Sequence, residues 1–242
     1  FEPRSQGVTS FYVTDYTEVD NNVTRHLESE LSRQSDAAHM LILHYLGLDH
    51  IGHSLGGEST KIPVKLREMD GIVRMINEKV QQSGDNYLFM IVGDHGMTKA
   101  GGHGGSSPDE TTVPIVMYRS ISGEDEGRPK TKTTSMDHDA IDVDQIDVAA
   151  SLSHLLRLPA TEGSLGLSFL HLCGLSDAVS VTALNRDIEA LLSRASEGEE
   201  RDSLAACSHS LNSLLDSHCE IKDHENWRIT VNRCYATVKN VQ

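Results

Sequence analysis

Residues 38–46 read Ala-His-Met-Leu-Ile-Leu-His-Tyr-Leu and stop at Gly47; residues 87–92 read Tyr-Leu-Phe-Met-Ile-Val and stop at Gly93. Both runs are short, largely apolar and closed by glycine, the pattern of strands buried on both faces. Between them, Ile62, Leu66, Met69, Val73, Ile76 and Val80 recur at three- and four-residue steps until Gln81-Gln82-Ser83-Gly84, which predicts an amphipathic helix. Strand, helix, strand is a βαβ unit. Residues 113–118, Val-Pro-Ile-Val-Met-Tyr, add a third strand, with Pro114 near its start, where a missing N–H is tolerated. The expected fold class is α/β, with a mostly parallel sheet covered by helices.

Outward from this unit the signals change. Residues 119–143 are almost without apolar side chains and read as a mobile surface insertion. Asp147 is expected to cap an amphipathic helix running through Leu156 and closed by Pro159, and residues 164–170 to form a last strand or extended segment. Past residue 178, Ala183–Ser193 and Leu204–Leu215 read as amphipathic helices split by the polar run Ser196–Asp202. The expected organisation is one α/β region over 1–178 and a helical tail over 179–242. The sequence starts at Phe1 rather than Met, as expected of a fragment or a processed product.

The 242 residues fit one large domain, or a domain with a small appendage. A hydrophobic fraction of 38% supports a core. The formal net charge of -15 argues against nucleic acid as a partner, since phosphate backbones are bound by Lys and Arg. It leaves a phosphate substrate open, because bound cations supply positive charge locally. No apolar run is long enough for a transmembrane helix, and no signal peptide is visible. Cys173, Cys207, Cys219 and Cys234 lack the C-x-x-C spacing of a thiolate zinc site. Asn22-Val23-Thr24 is a glycosylation sequon, with Asn22 as its acceptor.

Three clusters carry chemistry. In Leu48-Asp49-His50-Ile51-Gly52-His53, Asp49 and His53 are spaced to reach one ion from a strand-to-helix turn, and carboxylate and imidazole are ordinary zinc ligands. The alternative is a polar loop after a strand. In Val92-Gly93-Asp94-His95-Gly96-Met97, Asp94 and His95 can serve one metal or one each of two; otherwise this is a glycine-rich turn. In Ala100-Gly101-Gly102-His103-Gly104-Gly105, His103 has no side-chain neighbours to pack against, the alternative being a flexible loop tip. Each cluster alone is ambiguous. Together, ordered after successive strand ends, where open α/β sheets place their sites, they read as a metal centre.

These motifs are similar to those of the alkaline-phosphatase superfamily. His44-Tyr45-Leu46-Gly47-Leu48-Asp49-His50-Ile51-Gly52-His53, taken with the Thr14–Thr24 segment, resembles the glycosylphosphatidylinositol (GPI) ethanolamine phosphate transferases, most of all the second of their three types. The similarity covers roughly 8–118, is looser over 144–171, as in Asp147-Val148-Ala149-Ala150-Ser151-Leu152, and is faint beyond 178.

The resemblance implies that 1–178 is the C-terminal part of an alkaline-phosphatase-like catalytic domain holding two divalent metals, usually zinc. Asp49, His53 and His103 match the ligands of one metal; Asp94 and His95 match part of the other site. The family completes that second site with an earlier Asp and a nucleophilic Thr, and neither has a match in this chain. Thr14 and Thr24 lie too near the matched segment, in the wrong local sequence. The resemblance further implies a partial luminal domain of an endoplasmic reticulum membrane enzyme, anchored by helices downstream, with a possible small membrane accessory subunit. Phosphatidylethanolamine and the GPI precursor are the implied substrates, with phosphoethanolamine passing by way of the Thr to a mannose. A soluble metal-dependent phosphodiesterase or phosphatase would share the ligands, and an inactive accessory domain would lack the nucleophile. Zinc and manganese both suit Asp and His donors. His44 is expected near the core or behind a ligand, Met97 beneath the metal loop, Trp227 in a core contact, and His138, His154, His171, His209, His218 and His224 at the surface.

Overall fold

The computed structural model describes residues 12–32, 40–120, 142–159, 163–173, 177–216 and 224–239. It divides into two compact units, Phe1–Lys132 and Thr133–Gln242.

In the first unit, α1 (Glu18–Leu31) begins where the Asp15 carboxylate accepts the backbone N–H groups of Thr17 and Glu18 at 3.0 and 2.8 Å. Helix α2 (Gly47–Leu55) carries the first chemical cluster. Helix α3 (Ile62–Ser83) is the periodic segment. It has proline in its first turn, where the lost N–H is unneeded, and ends at Gly84 with φ 70°, a left-handed cap suited to glycine. Both α1 and α2 pack on α3, burying Leu27, Ile51 and Ile76.

The sheet departs from the sequence expectation. Strand β1 (Tyr87–Val92) pairs antiparallel with β2 (Ile115–Ser120), from Tyr87 opposite Ser120 to Val92 opposite Ile115. The expected parallel sheet does not appear among the described residues, where this pair is the whole sheet. Residues 40–46 form no strand, and Ile42 is 76% exposed. An apolar run reports a wish for burial, but a strand exists only where another backbone supplies its ladder. Among the described residues no strand pairs with 40–46, and β1 takes its hydrogen bonds from β2 instead. The third expected strand is present, shifted two residues towards the C-terminus. A one-turn helix, α4 (Pro108–Thr111), stands between β1 and β2. Of the expected insertion, residues 119 and 120 close β2 and 121–141 lie outside the described residues.

In the second unit, α5 (Gln145–Leu155) starts one turn differently from the sequence reading. Asp144 is the N-cap, and Asp147, at the third helical position, completes a capping box. Residues 164–169 form no strand and lead into a 3-10 turn, Leu170–Leu172. Helices α6 (Asp177–Leu192), α7 (Glu199–Asp216) and α8 (His224–Lys239) follow. α6 packs on the 3-10 turn, α5, α7 and α8, so the helices beyond residue 178 share a unit with α5. Leu167, Leu170, Leu184, Ile188, Leu211 and Val238 are wholly buried there.

Asp147 is a polar hub in this core. Its carboxylate accepts hydrogen bonds from the Leu167 N–H at 2.8 Å and the Tyr235 hydroxyl at 2.6 Å, and pairs with Lys239 at 2.7 Å. Burial, then the Asp147 hydrogen bond, pushes the Tyr235 phenol well above its ordinary range. His154, expected at the surface, is buried against Asp187 at 2.8 Å. His171 is also drawn inwards, with its ring edge-on to Tyr235, and burial pulls its pKa down to about 4. His209 is exposed; His138 and the side chains of His218, His224 and Trp227 lie outside the described residues. Cys207 and Cys234 are buried thiols side by side, Cys234 pushed up to about 12 by burial and its Cys207 neighbour. Among the described residues no helix is long and apolar enough to cross a membrane.

Candidate metal centre

Asp49 sits in the first turn of α2 and His53 one turn later, so the helix places both side chains on one face. His103 reaches them from the loop after β1. That loop is hung on the end of α2: the Gly57 N–H donates to the Lys99 carbonyl at 3.0 Å, and Thr98 closes a turn by donating to the Gly102 carbonyl at 2.9 Å. Gly101, at φ 88°, lies so close to the Gly52 carbonyl that an added Cβ would stand 2.1 Å from its oxygen. Met97 lies against Gly52 from beneath, its sulfur 2.0 Å from where a Cβ would be. Glycine at 52 and 101 therefore permits the close approach that brings His103 to His53.

The three donor atoms converge. His53 Nε2 and His103 Nε2 are 3.0 Å apart, and Asp49 Oδ1 lies 3.4 Å from the first and 3.6 Å from the second. A tetrahedral zinc ion with bonds of about 2.0–2.1 Å holds its ligand atoms roughly 3.3 Å apart, so the set has the right span for one cation. Asp49 Oδ1 is buried facing the two imidazole nitrogens, and among the described residues none gives it a well-aligned hydrogen bond. A buried carboxylate oxygen is costly without a partner, and a cation among the three donors would satisfy it.

Asp94 and His95 stand beside this triad. The His95 ring stacks on His103, with centroids 3.7 Å apart. His95 Nδ1 donates to the Gly96 carbonyl at 3.0 Å, which leaves its Nε2 as the acceptor, 3.6 Å from Asp94 Oδ2. Asp94 is exposed, as is His44, whose Nε2 is 3.8 Å from the same Asp94 oxygen. Among the described residues, the cluster spaced to hold one ion is Asp49, His53 and His103, with Asp94 and His95 adjoining. Asn22 is half-buried within α1, and the hydroxyl of its sequon partner Thr24 donates to the Asp20 carbonyl at 3.1 Å.

Sequence reasoning missed the residues that hold the loops. Glu110 accepts the Gly105 N–H at 2.9 Å and the Ser107 hydroxyl at 2.6 Å, and its own carbonyl accepts the Gly96 N–H at 2.8 Å. The Ser107 hydroxyl, then the Gly105 amide, holds the Glu110 carboxyl below its ordinary range. Ser107-Pro108-Asp109-Glu110 is an S-x-x-E signature, a signal available in the sequence. Asp20 and Lys65 carried no such signal.

The model of the Type I phosphodiesterase / nucleotide pyrophosphatase family matches residues 4–109, a span that contains all five candidate ligands. GPI ethanolamine phosphate transferase 2 of Yarrowia lipolytica is 36% identical over 233 residues, covering 92% of this chain and 26% of the relative. The chain belongs to the GPI ethanolamine phosphate transferase family. Its Candida albicans relative of the same name is 44% identical over 165 residues, 67% of this chain and 18% of the relative. The human GPI ethanolamine phosphate transferase 2, catalytic subunit, is 44% identical over 167 residues, 66% of this chain and 16% of the relative. The chain thus spans about a quarter or less of the length of these transferases. No solved structure matches it.

Proposed function

We propose that this chain supplies half of a two-metal centre in a GPI ethanolamine phosphate transferase. In this reading the whole protein moves phosphoethanolamine from phosphatidylethanolamine to a mannose of the GPI precursor, at the luminal face of the endoplasmic reticulum membrane. The observation that carries it is the convergence of Asp49 Oδ1, His53 Nε2 and His103 Nε2, 3.0 to 3.6 Å apart, in a chain so similar to these transferases. Asp49, His53 and His103 would hold one divalent ion, zinc by their donor chemistry; Asp94 and His95 would contribute to the second. Bound divalent ions supply Lewis acidity and lower the pKa of an oxygen nucleophile. Glu110 and the Gly96 carbonyl orient the loop and the His95 ring. We place the Thr nucleophile and the remaining Asp ligand outside this chain, together with the membrane-spanning helices. In the whole domain, residues 40–46 would join β1 in the parallel sheet of the superfamily, with 1–178 forming part of that domain. The human relative's designation as a catalytic subunit supports an accessory subunit.

Zinc titration of the purified chain should show binding that is lost in His53→Ala. In the whole protein, Asp94→Asn keeps the side-chain size and removes a charge from the second site. Several kcal/mol of transition-state stabilisation go with it, and kcat should fall on the order of 10³-fold. Cells carrying only that variant should accumulate a GPI precursor lacking one phosphoethanolamine, seen by mass spectrometry of the lipid. Absence of that precursor, with the variant folded and correctly located, would move the second reading ahead. That reading is a soluble metal-dependent phosphodiesterase, favoured by the family model over residues 4–109.

A further inference from the structure

The carboxylate of Asp20 is 1% exposed and lies between three elements. Its Oδ1 accepts two backbone N–H groups at the start of α2, from Leu46 at 3.0 Å and Gly47 at 2.9 Å. Its Oδ2 accepts from Lys65 Nζ on α3 at 3.1 Å, and Lys65, itself buried, also binds Glu68 at 3.0 Å. Burial pulls the Lys65 pKa down, but the hydrogen bonds to Glu68 and Asp20 outweigh it and the net shift is upward, so the lysine is held as a cation. Gly47 makes room for this contact: a Cβ there would stand 2.3 Å from Asp20 Oδ2. Helix α2 is also held by the same segment through His50, which is wholly buried and donates from Nδ1 to the Asp15 carbonyl at 2.7 Å.

The first N–H groups of a helix have no partner within it, and they carry the positive end of its dipole. A carboxylate from α1 that takes two of them fixes both the origin and the direction of α2. We propose that Asp20 is a positioning residue for the metal centre, neutralised by Lys65, which sets where α2 begins and therefore where Asp49 and His53 stand relative to His103. The inference rests on the metal reading of the triad. Asp49 and His53 move with α2 as one body, while His103 belongs to the β1 loop, so a small rotation of α2 opens the triad without breaking either ligand.

The test separates hydrogen bonding from ion pairing. Asp20→Asn keeps an oxygen for the two N–H groups and loses the charge facing Lys65; Asp20→Ala loses both; Gly47→Ala pushes the carboxylate aside. Cobalt(II) is titrated into the 242-residue chain, with affinity and the ligand-field spectrum read by absorbance and stability by urea unfolding. Outer-shell partners of metal ligands typically control about 10–100-fold in affinity. Asp20→Ala and Gly47→Ala should lose that much and change the cobalt spectrum. Asp20→Asn should stay within about threefold of the parent, with the same spectrum, although it is destabilised by loss of the ion pair. Equal affinity in all variants overturns the role, as does affinity that merely tracks unfolding free energy across the set. A parent chain that binds no cobalt removes the metal reading itself and this role with it. A parent that binds, with Asp20→Ala binding equally, removes only the positioning role.

Discussion

Gly101→Ala probes how the loop delivers His103. The residue has φ 88°, where an L side chain costs about 1–2 kcal/mol. The larger effect is the collision: the new Cβ would sit 2.1 Å from the Gly52 carbonyl oxygen, whereas real Cβ contacts stay beyond 3.0 Å. A backbone carbonyl within a helix cannot swing aside, so the turn must withdraw by about 0.9 Å. His103 lies two residues on and withdraws with it. Metal sites tolerate ligand displacements of about 0.2 Å, so zinc affinity should fall roughly 10–100-fold or more. Gly104→Ala is the control: φ is 95° there, but none of the described residues lies within 4 Å of an added Cβ. It carries the backbone strain without the collision and should lose no more than roughly a few-fold. Calorimetric zinc titration of the folded variants, with circular dichroism to confirm the fold, measures both. Equal losses for the two alanines, or no loss for Gly101→Ala, would refute the delivery argument.

Two other perturbations concern the second unit. His171 has a folded pKa of about 4 against 6.5 for a free histidine, so the unfolded chain binds more protons between these values. The stability from keeping it neutral is fully present above pH 6.5 and is lost as pH falls towards 4, up to about 3 kcal/mol; His171→Leu should abolish that part of the pH dependence in urea melts. Tyr235→Phe removes the 2.6 Å hydrogen bond to the buried Asp147 carboxylate and should cost about 1.5–3 kcal/mol, lowering the urea midpoint with the slope unchanged.

What was legible in the sequence follows from how far each signal reaches. Helix α3 was readable because its periodicity and its glycine stop are local properties. The five candidates stood out because Asp and His recur among glycines in three ordered clusters, and the structure brings Asp49, His53 and His103 within reach of one ion, with His95 stacked beside them. Residues 40–46 form no strand here for a physical reason: apolar composition encodes a demand for burial, and pairing depends on a partner that no local pattern names. Asp20 was unreadable because its partners lie 26 to 45 residues away and are mainly backbone amides, which every residue carries. His154 and His171 looked like surface histidines because their burial is set by Asp187 and Tyr235, on other helices.

The division of labour between the units explains why the ligands depend on such contacts. The second unit fixes its helices with a shared apolar core. The first, among its described residues, buries Leu27, Ile51 and Ile76 around the helices that carry the ligands. Apolar contacts are non-directional, and so few of them leave α2 free to rotate or slide at small cost. Directional contacts remove that freedom: the Asp20 carboxylate at the start of α2, the His50 hydrogen bond on its buried face, and the Gly52–Gly101 approach near its end. Asp20 supplies two backbone hydrogen bonds and an ion pair, His50 one hydrogen bond and the glycines a missing methyl group, so each can be changed without emptying an apolar core. Ligand geometry in the first unit therefore rests on directional contacts whose effect on the site can be measured beside their effect on stability, whereas the buried Asp147 and Asp187 contacts of the second unit tie its helices into one core.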